Sequence, residues 1–169
     1  MSADRPAAAP DRAPHDDRIR TVPLADARAT AALGGALAPV LRRGDLLSLS
    51  GDLGAGKTTL ARGLIAALGH HGPVPSPTFT LVQQYETVPV PVWHFDLYRI
   101  GGADEVVELG YDEARADGIV LIEWAERLGP DLPTDRLEVR LDYDPSGRSR
   151  VAYLFGAPAW GTRLRDFPS

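Results

Sequence analysis

Gly51, Gly56, Lys57 and Thr58 stand in the spacing GxxxxGK(S/T), inside the run "SGDLGAGKTTLARGL". Residues of these types, in this order, suit a polyphosphate. Glycines let backbone amides turn inward with no Cβ in the way, and the unpaired N–H groups of a helix start attract an anion. Lysine offers a compact charge on a slim stem, which arginine's planar fork does not replace. A threonine hydroxyl can ligate Mg²⁺. Lysine and arginine together number 18, yet Lys57 is the only lysine. A chain that otherwise uses arginine keeps lysine at the one position that must thread beside phosphates.

This is the P-loop pattern, and it names a first set of nucleotide contacts: Asp52, Leu53, Gly54, Ala55, Gly56, Lys57, Thr58 and Thr59. Hydrolysis would further need an acid near the magnesium and a group to orient water. Asp96 ends "VWHFD" and Glu123 ends "IVLIE", two β-rich runs. Ligands of open α/β sheets gather at the carboxyl ends of strands, so both acids can face the phosphates. Glu123 has the cleaner Walker-B context, an apolar run closing on one acid. Each acid also reads as a solvated strand-end charge. Thr78 and Thr80, in "SPTFT", lie one loop beyond the glycine-loop helix, where nucleotide hydrolases place a γ-phosphate sensor. Thr78 is preferred, and both also read as plain strand-start hydroxyls. His94 reads more as a hydrogen-bonded core histidine than as a catalyst, and Trp124 reads either as core or, since it directly follows Glu123, as a residue near the site. Arg99 follows Asp96 closely.

The elements that must carry these residues follow from periodicity. "RTVPL" reads as an edge strand, and Leu33, Leu37, Val40 and Leu41 recur at helical spacing, with Pro39 disturbing the last turn. "GDLLSLSG" is a short apolar strand running into the glycine loop, and Leu60, Leu64 and Leu68 mark the helix after it, closed by "GHHG". Two β-rich runs, "TLVQQYETV" and "VPVWHFDLYR", come next; a helical stretch interrupted at Gly110 follows them. "IVLIEW" has the continuous apolar character of a buried parallel strand. Leu137, Val139, Leu141 and Tyr143 alternate, "DPSG" turns, and Val151, Tyr153 and Phe155 alternate on the return. The pattern predicts an α/β fold: a three-layer P-loop NTPase-like domain with a mixed sheet, parallel at the centre, plus antiparallel hairpins.

At 169 residues the chain fits one domain with a real core. Residues 1–18 hold three prolines and seven charges and read as a disordered tail; 19–156 form the domain, and 157–169 read as a C-terminal tail. No cysteine is present, which excludes disulfides and thiolate catalysis and fits a reducing compartment. No apolar run is long enough for a membrane helix, so a cytoplasmic location without membrane contact is expected. The net charge of -5 argues against a protein that grips nucleic acid alone.

"GDLGAGKTTLARGL", "SPTFTLVQQY", "HFDLYR", "ELGYDE" and "IVLIEWAERL" occur in the order and spacing of the TsaE (formerly YjeE) family, which the chain resembles from about Val22 to Tyr143. The resemblance implies an ATPase that binds TsaB with the transferase TsaD and supports threonylcarbamoyl transfer to the adenosine beside the tRNA anticodon. It implies ATP and Mg²⁺ as cofactors, with tRNA reached indirectly through the complex. It also assigns Lys57 and Thr58 to phosphate and Mg²⁺, Glu123 to the second magnesium ligand, Asp96 to hydrolysis and "SPTFT" to a switch-like loop. Phe79 and Gln83 replace the family's common tyrosine and glutamate. The residues alone leave two other readings open: a small-molecule kinase, and an adaptor whose P-loop gates partner binding without hydrolysis.

Overall fold

The computed structural model describes residues 18–87 and 89–167; apart from Arg18, the segment expected to be a disordered tail lies outside them. The strands are β1 (Arg18–Leu24), β2 (Leu46–Ser50), β3 (Val82–Tyr85), β4 (Val92–Asp96), β5 (Ile119–Glu123), β6 (Leu137–Tyr143) and β7 (Arg150–Gly156). The helices are α1 (Ala27–Leu37), α2 (Lys57–Ala67), α3 (Ala103–Glu108), α4 (Tyr111–Asp117) and α5 (Pro158–Arg163). Among the described residues, seven strands make one sheet in the order β1-β7-β6-β2-β5-β4-β3. The inner run β6-β2-β5-β4 is parallel, and both edges are antiparallel.

β5 explains the layering. All five of its residues are buried, because the sheet is covered on both faces at its centre. Ile119 and Leu121 turn to the cluster that α1 and α2 complete, while Val120 and Ile122 turn to the one formed with α3, α4 and a 3₁₀ segment, Ala125–Asp131. The result is helix, sheet, helix: the expected three-layer P-loop fold.

Local chemistry sets the boundaries. The Asp26 carboxylate accepts the Ala29 amide at 2.8 Å and starts α1, and Pro39 tightens its end into a 3₁₀ turn, Ala38–Val40. Gly110, at φ +85°, separates α3 from α4. α1 and α2 pack almost backbone to backbone: a Cβ on Gly63 would lie 2.0 Å from the Ala31 carbonyl oxygen. That contact fixes α2, and with it the glycine loop, against the rest of the layer.

Two features differ from the sequence reading. On β7 the core takes Ala152 and Leu154, which pair with Leu141 and Val139, while Val151, Tyr153 and Phe155 are only half-buried. Ala152 and Leu154 fit beneath the helices, and the two aromatics lie on the other face, where the Arg140 guanidinium sits 5.2 Å from the Tyr153 ring and 5.1 Å from Phe155. Nor do the residues after Gly156 trail away. α5 lays Trp160 and Leu164 into the main core, followed by Phe167, and the Arg163 guanidinium binds the Asp45 carboxylate and the Val40 carbonyl.

Candidate active site

β2 ends at Ser50 and the chain turns through Gly51–Gly56 into α2, which begins at Lys57 without a side-chain cap. Its first-turn amides are therefore available to an anion. Gly51 has φ +133°, and a Cβ there would strike the Leu141 carbonyl oxygen at 2.3 Å, so only glycine lets the loop pass over β6. The Ala55 amide donates to the Asp52 carbonyl at 3.0 Å and closes the turn. Arg150 Nη2 donates to the Gly54 carbonyl at 3.0 Å, bracing the loop from β7.

Lys57 is buried. Its Nζ donates to the carbonyls of Gly51 at 2.6 Å and Asp52 at 3.0 Å, and lies 4.0 Å from the centre of the Trp124 ring. Burial holds its pKa below the ordinary lysine value, and the carboxylates of Glu123, Glu126, Asp96 and Asp52 oppose that shift. An ammonium bonded to neutral carbonyls under an indole is a charge poised for an anion.

The acids arrive from the sheet. Asp96 and Glu123 are register partners on parallel β4 and β5, so their side chains share a face, the one beneath α2. Thr58 Oγ1 donates to Glu123 Oε1 and Oε2 at 2.9 and 3.1 Å. Asp96 Oδ2 accepts from Thr78 Oγ1 at 2.9 Å, and its Oδ1 accepts the Tyr98 amide, also at 2.9 Å. Ser76 and Thr78 share a 2.7 Å hydroxyl contact. Thr58, Ser76, Thr78, Asp96 and Glu123 line one cleft of about 220 Å³, together with Trp124 and residues of the glycine loop and the start of α2.

Most of the expected site residues thus converge. Asp52 and Ala55 do not line the cleft; they enter the loop through their backbone, and the Ala55 side chain is in the core. Thr80 is exposed and accepts from Gln83, away from the cleft. Arg99 lies over the exposed Phe79 ring, 4.5 Å from its centre. His94 is buried and hydrogen-bonded as expected, but its partner is Glu123, at 2.8 Å. Sequence reasoning missed that link, though the signal was there: His94 stands two residues before Asp96 and so shares its face.

Residues 24–151 match the family model described as "Threonylcarbamoyl adenosine biosynthesis protein TsaE". The chain belongs to the TsaE family. It is 46% identical to the tRNA threonylcarbamoyladenosine biosynthesis protein TsaE of Streptomyces coelicolor over 65% of this chain and 76% of that one. To the protein of the same name from Nostoc it is 42% identical, over 82% and 86% of the two chains. Its fold is similar to that of the crystal structure of Bacillus subtilis YdiB, with a TM-score of 0.74 and 28% identity over 88% of this chain and 93% of that one. The TsaE match takes in every residue that lines the cleft.

Proposed function

We propose that this chain is a Mg²⁺-dependent ATPase that works with TsaB and TsaD in forming threonylcarbamoyladenosine in tRNA. The pathway is suggested by the names of its relatives. The observation that carries the chemistry is the Thr58 hydroxyl on the Glu123 carboxylate, in one cleft with Lys57 and the uncapped start of α2.

The donor set fits the cation. A hydroxyl and a carboxylate are hard oxygen ligands of the kind Mg²⁺ takes, usually alongside substrate phosphates. Among the described residues no group of three or more histidines, cysteines or carboxylates could hold a metal by itself. Thr58 and Glu123 would share the cation with the nucleotide, and when bound it neutralises charge on the phosphate oxygens.

The chain's own residues do the rest. The loop amides and Lys57 hold the phosphates, with Lys57 exchanging two carbonyl partners for an anion. Trp124 covers Lys57 and limits water around it. Asp96, fixed by Thr78 and the Tyr98 amide, positions the attacking water or accepts its proton. With a net charge of -5, tRNA is left to the partners. No helix among the described residues is long and apolar enough to cross a membrane.

The test is phosphate release from ATP with Mg²⁺, measured for the chain alone and with TsaB and TsaD. Release should be low alone, rise with the pair, and fall by about a hundredfold or more in Glu123→Ala and Asp96→Ala. Tight ATP binding with no release in either mixture would point instead to a nucleotide-gated adaptor.

A further inference from the structure

His94 is fully buried on β4, opposite the fully buried Leu121 and between Val92 and Asp96 on the same face of the sheet. An apolar side chain would pack against Val92 and Leu121. The histidine instead places Nε2 2.8 Å from Glu123 Oε1 and leaves its other ring nitrogen, Nδ1, buried with no hydrogen-bond partner. An orphaned polar atom in a core is a cost that packing does not explain. The same atom fixes the tautomer. A proton on Nδ1 would strand a donor and aim the Nε2 lone pair at a carboxylate; a proton on Nε2 makes a charge-assisted bond and strands only a lone pair.

Glu123 Oε1 then accepts from both His94 and Thr58, whereas Oε2 accepts from Thr58 alone. The two oxygens are not equivalent. We propose that His94 is a positioning residue: its Nε2–H holds Glu123 Oε1 and turns the freer Oε2 toward the cation that accompanies the nucleotide. The assignment rests on the Mg²⁺–nucleotide reading above and adds to it a residue that touches neither. Groups that orient a metal's ligands typically change metal affinity about 10–100-fold when removed.

The experiment is a calorimetric titration of the full chain with ATP, in EDTA and at a series of Mg²⁺ concentrations. His94→Leu and His94→Asn remove the bond, since the asparagine amide reaches only as far as the ring Nδ1. His94→Gln restores a donor near the Nε2 position. The expected result is an unchanged ATP affinity in EDTA for all three variants. The Leu and Asn variants should need about 10–100-fold more Mg²⁺ for half-maximal tightening, with the Gln variant close to wild type. An unchanged Mg²⁺ requirement in the Leu and Asn variants overturns the proposal. So does an equal loss in EDTA and Mg²⁺, the mark of a merely structural histidine, or a Gln variant as impaired as Leu. If melting shows the Leu variant unfolded, the Asn and Gln pair decides. A wild-type chain whose ATP binding ignores Mg²⁺ would sink the metal–nucleotide reading itself, whereas a wild type that responds to Mg²⁺, with Leu and Asn variants that respond just as it does, sinks only the role of His94.

Discussion

Lys57 holds its charge under Trp124, against two loop carbonyls, and burial lowers its pKa despite four nearby carboxylates. The charged form is therefore disfavoured in the fold, and the resulting penalty is relieved as pH rises through the lowered value toward the ordinary lysine value of 10.5. A bound anion reverses the preference. ATP affinity should accordingly weaken with rising pH below 10.5 rather than at it, an effect that titrations at stepped alkaline pH would reveal. Lys57→Arg keeps the charge but not the slim stem, and should weaken ATP binding about tenfold or more. Wild-type affinity in that variant would show that charge alone suffices. Lys57, Thr58, Asp96 and Glu123 were legible in the sequence because motif spacing and strand ends mark them. The cover over Lys57 and the His94–Glu123 bond were legible only in part: Trp124 follows Glu123 and His94 shares a face with Asp96, but what each touches depends on which strands lie side by side.

Between α1 and α2 the decisive residues are glycines. A Cβ on Gly34 would lie 2.1 Å from the Leu60 carbonyl oxygen, and one on Gly63 2.0 Å from that of Ala31. Neither neighbour is a flexible side chain. Gly63→Ala must push the helices apart, and should cost about 1–3 kcal/mol in chemical denaturation and weaken nucleotide binding by shifting α2. Helical spacing showed that these helices exist but not that they meet through glycine, because a sequence does not say which faces touch. The β6–β7 turn allows a different test. Asp144 is held at a pKa of about 2, chiefly by the Ser146 hydroxyl, then by the Ser149 and Arg148 amides. A depressed carboxylate stabilises the turn above its ordinary value of 3.8 and loses that contribution as pH falls toward about 2. Protection of the turn amides against hydrogen exchange should fall across that window in the wild type, and Asp144→Asn should flatten the response.

Over the whole molecule, the parallel centre brings the carboxyl ends of β2, β4 and β5 to one edge, where the glycine loop, Asp96 and Glu123 meet. α5 closes the layer of α1 and α2 from the other end of the chain, with Trp160 and Leu164 buried and the Arg20 guanidinium donating to the Leu164 and Arg165 carbonyls. Ending the chain at Gly156 should lower stability by about 1.5–3 kcal/mol for each large apolar side chain lost. A melting curve unchanged by that truncation would show α5 to be dispensable.

Local pattern alone marks the elements from β1 to β7, though not α5, together with the phosphate loop, the acid at each strand end and the family resemblance, because propensity, periodicity and motif spacing act over short stretches of chain. Strand order, the use of Ala152 and Leu154 rather than Tyr153 and Phe155 as the buried face of β7, the docking of α5 and the clamp of His94 on Glu123 were decided only by the tertiary structure. Each depends on residues distant in the chain competing for the same interior space, and no local pattern records the outcome of that competition.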